Sequence, residues 1–200
     1  MKYPDFYDNV QSIQLYDALS NFLGAVENGE VEITYLDCVK LAGHSCPTVA
    51  GAYLMALKGL ATLYPQGLPQ RGNIHVAMKE DEKEGVEGVI ANVISFIVGA
   101  SGVGGFKGIQ GNFSRNNLVA FNKPMQGEVT LTRLDTNQSV SLSYNPSMVP
   151  GDKNMMPLMG KCLSKAASQE EQKLFGQLWQ ERVSKILLTK ELWDQMITIH

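Results

Sequence analysis

GHSCPTVAGAYLMALKGL, residues 43–60, places a proline next to the start of a strongly apolar helix. Proline is favoured in a first helical turn because its missing N–H would have had no intrahelical partner. Thr48 to Tyr64 is therefore predicted to be a helix, and its apolar stripe consists of Val49, Ala52, Tyr53, Ala56, Leu60 and Leu63. Small residues such as Gly51 and Gly59 allow a neighbouring element to approach this helix closely.

Two further helices are predicted on the N-terminal side of this segment. Leu36 to Leu41 has Asp37 near its start, and Gly43 lies where a left-handed C-terminal cap is expected. Tyr7 to Val26 shows apolar residues at roughly the spacing of an amphipathic helix. The first 64 residues are thus expected to be mainly helical.

The rest of the chain mixes strands and helices. Gly72 to Lys79 alternates apolar and polar residues, which is typical of a strand with one buried face. Further strands are predicted at Leu118 to Phe121, Gly127 to Arg133 and Ser139 to Tyr144, and further helices at Val89 to Val98 and within Lys165 to Ile199. Because helices and strands do not alternate regularly, we predict an α+β fold with a mixed or antiparallel sheet packed against helices.

Length and composition favour one domain. The chain has 200 residues, of which 44% are hydrophobic, enough for one well-buried core and a tight fit for two. We expect a single domain over residues 1–200, with a core at 37–145 and a helical C-terminal extension at 155–200. There is no internal repeat.

The charge distribution argues against a nucleic acid partner, and the pattern of apolar residues argues against a membrane partner. Net charge is only -3, and the basic residues are scattered along the chain. No run of about 18 uncharged apolar residues is present, and the first residues contain no apolar segment typical of a signal peptide. We expect a cytoplasmic protein.

The turn Gly43-His44-Ser45-Cys46-Pro47 is the strongest candidate site. Unpaired backbone N–H groups and the positive end of the helix dipole stabilise a thiolate at Cys46. His44 lies two residues away and can direct its imidazole to the same point. Thiolate and imidazole together suit zinc, or another divalent transition metal. The sequence therefore predicts a metal site at His44 and Cys46.

The other ligands stay open at this point. A structural zinc ion has four protein ligands, and a catalytic one about three plus water. Cys38, His75 and the carboxylates of residues 80–87 are further candidates. The three cysteines have no paired spacing, so a disulfide framework is not expected, and Cys162 is interpreted as a small buried hydrophobe.

A glycine-rich loop at residues 99–117 is the second candidate site. Its glycines are spaced only superficially like a dinucleotide-binding motif, because no credible helix follows them. The loop instead lets the backbone pass close to the site or to another protomer. Lys107, Arg115 and Asn117 are the candidate ligand contacts.

The stretch at 43–60 resembles the signature of the family named after the E-subunit of formylmethanofuran dehydrogenase, in which a Gly-His-x-Cys-Pro turn opens a helix. Residues 85–122 are more loosely similar to the second conserved block of that family. The resemblance implies an α+β fold, a homodimer, and a metal, usually zinc, held here by His44 and Cys46. A cysteine that members often carry in the second block is absent, and so is the cysteine-rich module at the C-terminus.

Three functional hypotheses follow. The first is a zinc-binding protein, in which an open coordination position could take water or a small ligand. The second is a cysteine-dependent enzyme with Cys46 as nucleophile and His44 as base. The third is a non-catalytic accessory dimer. Nothing in the sequence supplies molybdopterin, tungsten or iron–sulfur ligands, so carbon dioxide reduction is not assigned to this polypeptide.

Overall fold

The computed structural model describes residues 2–200 and has an α+β architecture, as predicted. The helices are α1 (Ala18–Phe22), α2 (Tyr35–Ala42), α3 (Pro47–Leu63), α4 (Glu87–Val98), α5 (Met155–Leu163), α6 (Gln169–Leu188) and α7 (Trp193–Met196). The strands are β1 (Ile13–Asp17), β2 (Glu30–Ile33), β3 (Gln70–Arg71), β4 (Ile74–Met78), β5 (Val119–Ala120), β6 (Val129–Arg133), β7 (Ser139–Tyr144) and β8 (Ile197–Ile199). Short 3-10 helices occur at Asp5–Asn9, Glu27–Gly29, Pro146–Met148 and Lys190–Leu192.

The strands form two mixed sheets. The larger has the order β5-β4-β6-β7-β8, with β5 parallel to β4 and the other neighbours antiparallel. The smaller has the order β2-β1-β3, in which β1 is antiparallel to β2 and parallel to β3. Successive side chains point to opposite faces, so Ile74, Val76 and Met78 of β4 are all buried.

Helix α3 lies at the centre of the protein. It contacts α2, α4, α6 and strand β7, so most of its residues are buried on every side. A helix that is apolar around its whole circumference is stable only in such an interior position. Gly59 faces the larger sheet so closely that a β-carbon there would lie 2.8 Å from Leu131 and 3.0 Å from Leu142.

Two sequence predictions were wrong at the ends of the chain. Residues 7–26 do not form one helix: Ile13 and Leu15 lie on β1, and Ile13 pairs with Ile33 of β2. The apolar spacing there fits both the period of a helix and the period of a strand, and pairing with a distant strand decides between the two. The C-terminal segment is helical at Gln169–Leu188 and Trp193–Met196, but its last residues, Ile197–Ile199, form the edge strand β8 of the larger sheet and not a helix.

Candidate functional site

The candidate site is the turn that joins α2 to α3. Helix α2 ends at Ala42, and its C-cap is Gly43, whose φ of 75° is the left-handed conformation that glycine adopts at little cost. Helix α3 begins with Cys46 as its N-cap and Pro47 in its first turn, as the sequence predicted. Residues 43–46 are therefore a short linker between two packed helices.

Cys46 caps α3 through its sulfur. Its Sγ accepts a hydrogen bond from the backbone N–H of Val49 at 3.4 Å, and the side chain is half-buried. Most N-caps are serine, threonine, aspartate or asparagine, whose oxygen accepts this bond. An N–H donor and the positive end of the helix dipole both stabilise negative charge on the sulfur.

His44 is exposed, and its ring orientation is set by a backbone contact. Nδ1 lies 2.9 Å from the carbonyl oxygen of Ala42. A carbonyl oxygen only accepts, so Nδ1 carries the hydrogen, and in the neutral ring Nε2 presents a lone pair. Hydrogen bonding of one ring nitrogen to a carbonyl is a common way of orienting a metal-binding histidine.

Ser45, between these two residues, is held by α6 from the far end of the chain. Its Oγ donates to Oε1 of Gln180 at 3.0 Å, and its carbonyl accepts from Nε2 of Gln180 at 3.2 Å and from Nε1 of Trp179 at 3.0 Å. Because the single hydroxyl hydrogen goes to Gln180, the Tyr35 hydroxyl, 3.0 Å away, donates to Ser45 Oγ. The C-terminal extension therefore fixes the linker.

Replacing Gln180 with alanine is expected to loosen this linker. The change removes both hydrogen bonds to Ser45, each worth about 0.5–1.5 kcal/mol in a typical protein. Amide hydrogen exchange should become faster at residues 43–46 while it stays unchanged in β6. Gln177→Ala, an exposed change on the same helix, is the control, and equal effects from both variants would contradict the role of Gln180.

Tyr144, at the end of β7, packs against the first turns of α3. A β-carbon on Gly51 would lie 2.2 Å from its ring, so only glycine leaves room for it. The Tyr144 hydroxyl is buried and finds no hydrogen-bond partner among the described residues. Burial raises the pKa of this hydroxyl, although the nearby Arg182 guanidinium lowers it. Sequence reasoning identified neither Tyr144 nor Gln180, because no local pattern marks them.

The other cysteine and histidine candidates lie in different surroundings. Cys38 is fully buried in α2, and burial raises the pKa of its thiol to about 12, so it stays protonated at neutral pH. His75 is half-buried on β4 opposite Thr132, and burial lowers its pKa. Cys162 is a partly exposed free thiol in α5, so its interpretation as a buried hydrophobe was wrong.

The glycine-rich loop places its three candidate residues differently. Lys107 and Asn117 are exposed, and the Asn117 backbone N–H donates to Gly102. Arg115 is instead buried, and its Nη2 donates to Asp17 Oδ1 at 2.7 Å. Arg71 donates to the other oxygen of Asp17 at 2.9 Å. Asp17, Arg71 and Arg115 form what we call the aspartate–arginine cluster.

The cluster fastens several elements around the C-terminal end of α4. Arg71 donates to the carbonyls of Phe96 and Ile97, and Arg115 donates to Gly99. The negative end of the helix dipole and the carboxylate of Asp17 together offset the two guanidinium charges. The Arg115 guanidinium lies so close to the backbone at Gly72 and Gly99 that a β-carbon at either would collide with it.

The described residues of one chain bring few potential metal ligands together. Within residues 2–200, no group of three or more histidine, cysteine, aspartate or glutamate side chains is placed to hold a metal ion. A structural zinc ion needs four such ligands. A closed structural site is therefore not built by a single chain.

The fold and the site together define the class of this protein: an α+β protein with a buried central helix that begins at a Gly-His-x-Cys-Pro turn. The chain belongs to the family whose model is described as "FmdE, Molybdenum formylmethanofuran dehydrogenase operon", which matches residues 41–193. The match includes the turn, the glycine-rich loop and α6. No curated protein matches the chain. In the part of the chain that the structure describes, none of the helices is long and apolar enough to cross a membrane.

Proposed function

We propose that the protein binds a divalent transition metal, zinc in the first instance, through Nε2 of His44 and Sγ of Cys46. The observation that carries this proposal is a pair of hydrogen bonds, one made by each residue, that leaves a lone pair on each of these two atoms available to a cation. Nδ1 of His44 is engaged with the Ala42 carbonyl, which leaves Nε2 as the bare nitrogen. Sγ of Cys46 accepts the Val49 N–H at the start of α3, and sulfur has further lone pairs with which to bind a metal.

The donor set fits zinc in kind but is incomplete in number. One imidazole nitrogen and one thiolate sulfur are two of the four ligands of a tetrahedral site. Solvent, a small ligand or a second copy of the chain would supply the others, and we include a homodimer in the proposal for this reason. When bound, zinc would supply a Lewis acid at the mouth of α3. The hydrogen bonds from Trp179 and Gln180 to Ser45 hold the linker between the two ligands.

Metal analysis tests the proposal. Protein purified without added metal should contain about one zinc ion per chain or per pair of chains, depending on whether a second copy completes the site. Cys46→Ala and His44→Ala should each lose most of it, because a two-ligand site does not survive removal of one ligand. Inductively coupled plasma mass spectrometry gives the metal content.

Cys162→Ser is the matched control, since this partly exposed cysteine has no place in the proposed site. Its zinc content should equal that of the wild type. Zinc retained by the double variant His44→Ala/Cys46→Ala would show that the metal lies elsewhere.

A cysteine-dependent enzyme is the second candidate, and the N–H that Val49 donates to Cys46 also favours it. In that case Cys46 would be alkylated rapidly by iodoacetamide in protein that contains no metal, and faster than Cys162. A bound metal would protect Cys46 from alkylation. The same reagent therefore separates the two candidates. If neither metal nor selective alkylation is found, a cytoplasmic accessory dimer without chemistry at Cys46 is the alternative.

A further inference from the structure

A pocket of about 410 Å³ lies between the C-terminal end of α2 and helix α4. Pockets of roughly 300–1,000 Å³ are typical of sites for small molecules. Its apolar wall consists of Leu41, Ala42, Val89, Val93, Phe96 and Ala100. His44, Asn92 and Ser95 are its polar residues. Cys46 does not line this pocket, so the pocket extends away from the proposed metal site and shares only His44 with it.

Ser95 lines this pocket and also two neighbouring pockets, and it provides a second indication of a ligand at this part of α4. Its Oγ is buried and, among residues 2–200, has no hydrogen-bond partner. A buried hydroxyl without a partner costs about 1–3 kcal/mol, so such groups call for an explanation. A ligand that accepts a hydrogen bond from this hydroxyl would remove that cost.

The residues that line the pocket also indicate that its ligand is uncharged. Among the described residues, the pocket has no lysine, arginine, aspartate or glutamate in its wall. In the metal-free protein, an ionised ligand would lose its hydration there without gaining a counter-charge. A neutral molecule with an apolar body would instead bury that body against Val93 and Phe96. Asn92 adds one amide group at the wall, and the Nε2 of His44 adds one acceptor when no metal is bound to it.

We propose that this pocket binds a small, uncharged organic molecule with an apolar body and a carbonyl or amide group that hydrogen-bonds to Ser95. The proposal goes beyond metal binding and shares only His44 with it. In the metal-free protein, the apolar wall and the Ser95 hydroxyl define this ligand class.

Benzamide and benzoate form a matched pair of probes, since they share size and shape and differ in charge. Titration into ¹⁵N-labelled protein at pH 7 should give saturable shifts for benzamide in amides of α2 and α4. In metal-free protein, benzoate should bind at least about tenfold more weakly, because its carboxylate is not compensated. Equal binding of both probes, or no saturable binding of benzamide, would overturn the proposal.

Two variants and one control variant locate the binding. Ser95→Ala should weaken benzamide binding roughly threefold to tenfold, the worth of one hydrogen bond, without lowering thermal stability. Val89→Trp should fill the pocket and abolish binding, whereas Val86→Trp, exposed at the start of α4 and outside the pocket, should not. Binding unaffected by Val89→Trp would contradict the assigned site.

The titration is repeated after treatment with EDTA to separate this proposal from metal binding. Benzamide binding that persists without metal supports the pocket even if His44 and Cys46 bind no zinc. Loss of benzamide binding on chelation would overturn the proposal as stated, since binding would then depend on the metal. Metal content measured on the same samples reports on the metal site alone.

Discussion

Asp17→Asn is expected to destabilise the protein by about 3–5 kcal/mol, the usual cost of removing one partner from a buried ion pair. Asp17 is only 1% exposed and accepts hydrogen bonds from Arg71, Arg115 and the backbone N–H of Ser20. Asparagine keeps the shape but leaves the buried Arg115 and the half-buried Arg71 without a counter-charge. Urea unfolding followed by circular dichroism gives the difference in the free energy of unfolding.

The control for this variant is Asp135→Asn. Asp135 also pairs with an arginine, Arg133, but at the surface, where ion pairs contribute little. Its unfolding midpoint should stay close to that of the wild type. If both variants behaved alike, burial of the aspartate–arginine cluster would not be the source of its stability.

Lowering the pH should reduce the difference in the free energy of unfolding between the wild type and Asp17→Asn. Burial alone would raise the pKa of Asp17, but the Ser20 N–H and the two guanidiniums outweigh it, and the net pKa lies below the ordinary value. The carboxylate therefore contributes stability above an unfolded pKa of about 3.9 and loses it as pH falls through the folded pKa. The difference between wild type and variant should be constant above about pH 5 and should narrow below about pH 4.

Gly51→Ala is expected to destabilise the protein by about 1–3 kcal/mol, although alanine normally stabilises a helix. A β-carbon at this position would lie 2.2 Å from Cε1 and 2.3 Å from Cδ1 of the Tyr144 ring. The ring is rigid and packed between α3 and the sheet, so it cannot yield at low cost. Overpacking of this kind outweighs the gain in helix propensity of about 1 kcal/mol.

Gly176→Ala in α6 is the matched control. Nothing lies within 4 Å of a β-carbon there, so only helix propensity acts. This variant should stabilise the protein by about 0.5–1 kcal/mol, the opposite sign from Gly51→Ala. Thermal unfolding of the two variants beside the wild type measures the contrast. Stabilisation by both substitutions would mean that Tyr144 moves away freely.

The Gly51 variant also reports on the candidate site. Tyr144 packs over the helix that Cys46 caps, so displacement of its ring should disturb the first turn of α3. If zinc binds at His44 and Cys46 as proposed, Gly51→Ala should weaken it even in the fraction that remains folded. Zinc affinity measured well below the unfolding temperature separates this effect from loss of fold.

Local signals in the sequence determined much of the helical structure and the candidate turn. Helices α2, α3 and α4 were predicted close to their observed bounds, together with the left-handed cap at Gly43 and the proline at the start of α3. The strands β4, β6 and β7 were also predicted. The family assignment rests on the same local motif, and the match over residues 41–193 confirms it.

The tertiary structure alone decided how distant segments meet. Residues 13–17 are a strand because Ile13 pairs with Ile33, and Ser45 is fixed by Gln180, 135 residues away. The same holds for Arg115, which binds Asp17 in the interior, and for Tyr144, which covers Gly51. Helix caps and helical hydrogen bonds join residues three or four positions apart, so a short stretch of sequence encodes them. Strand pairing and side-chain packing join residues that are neighbours only after the chain has folded, and no short stretch encodes them.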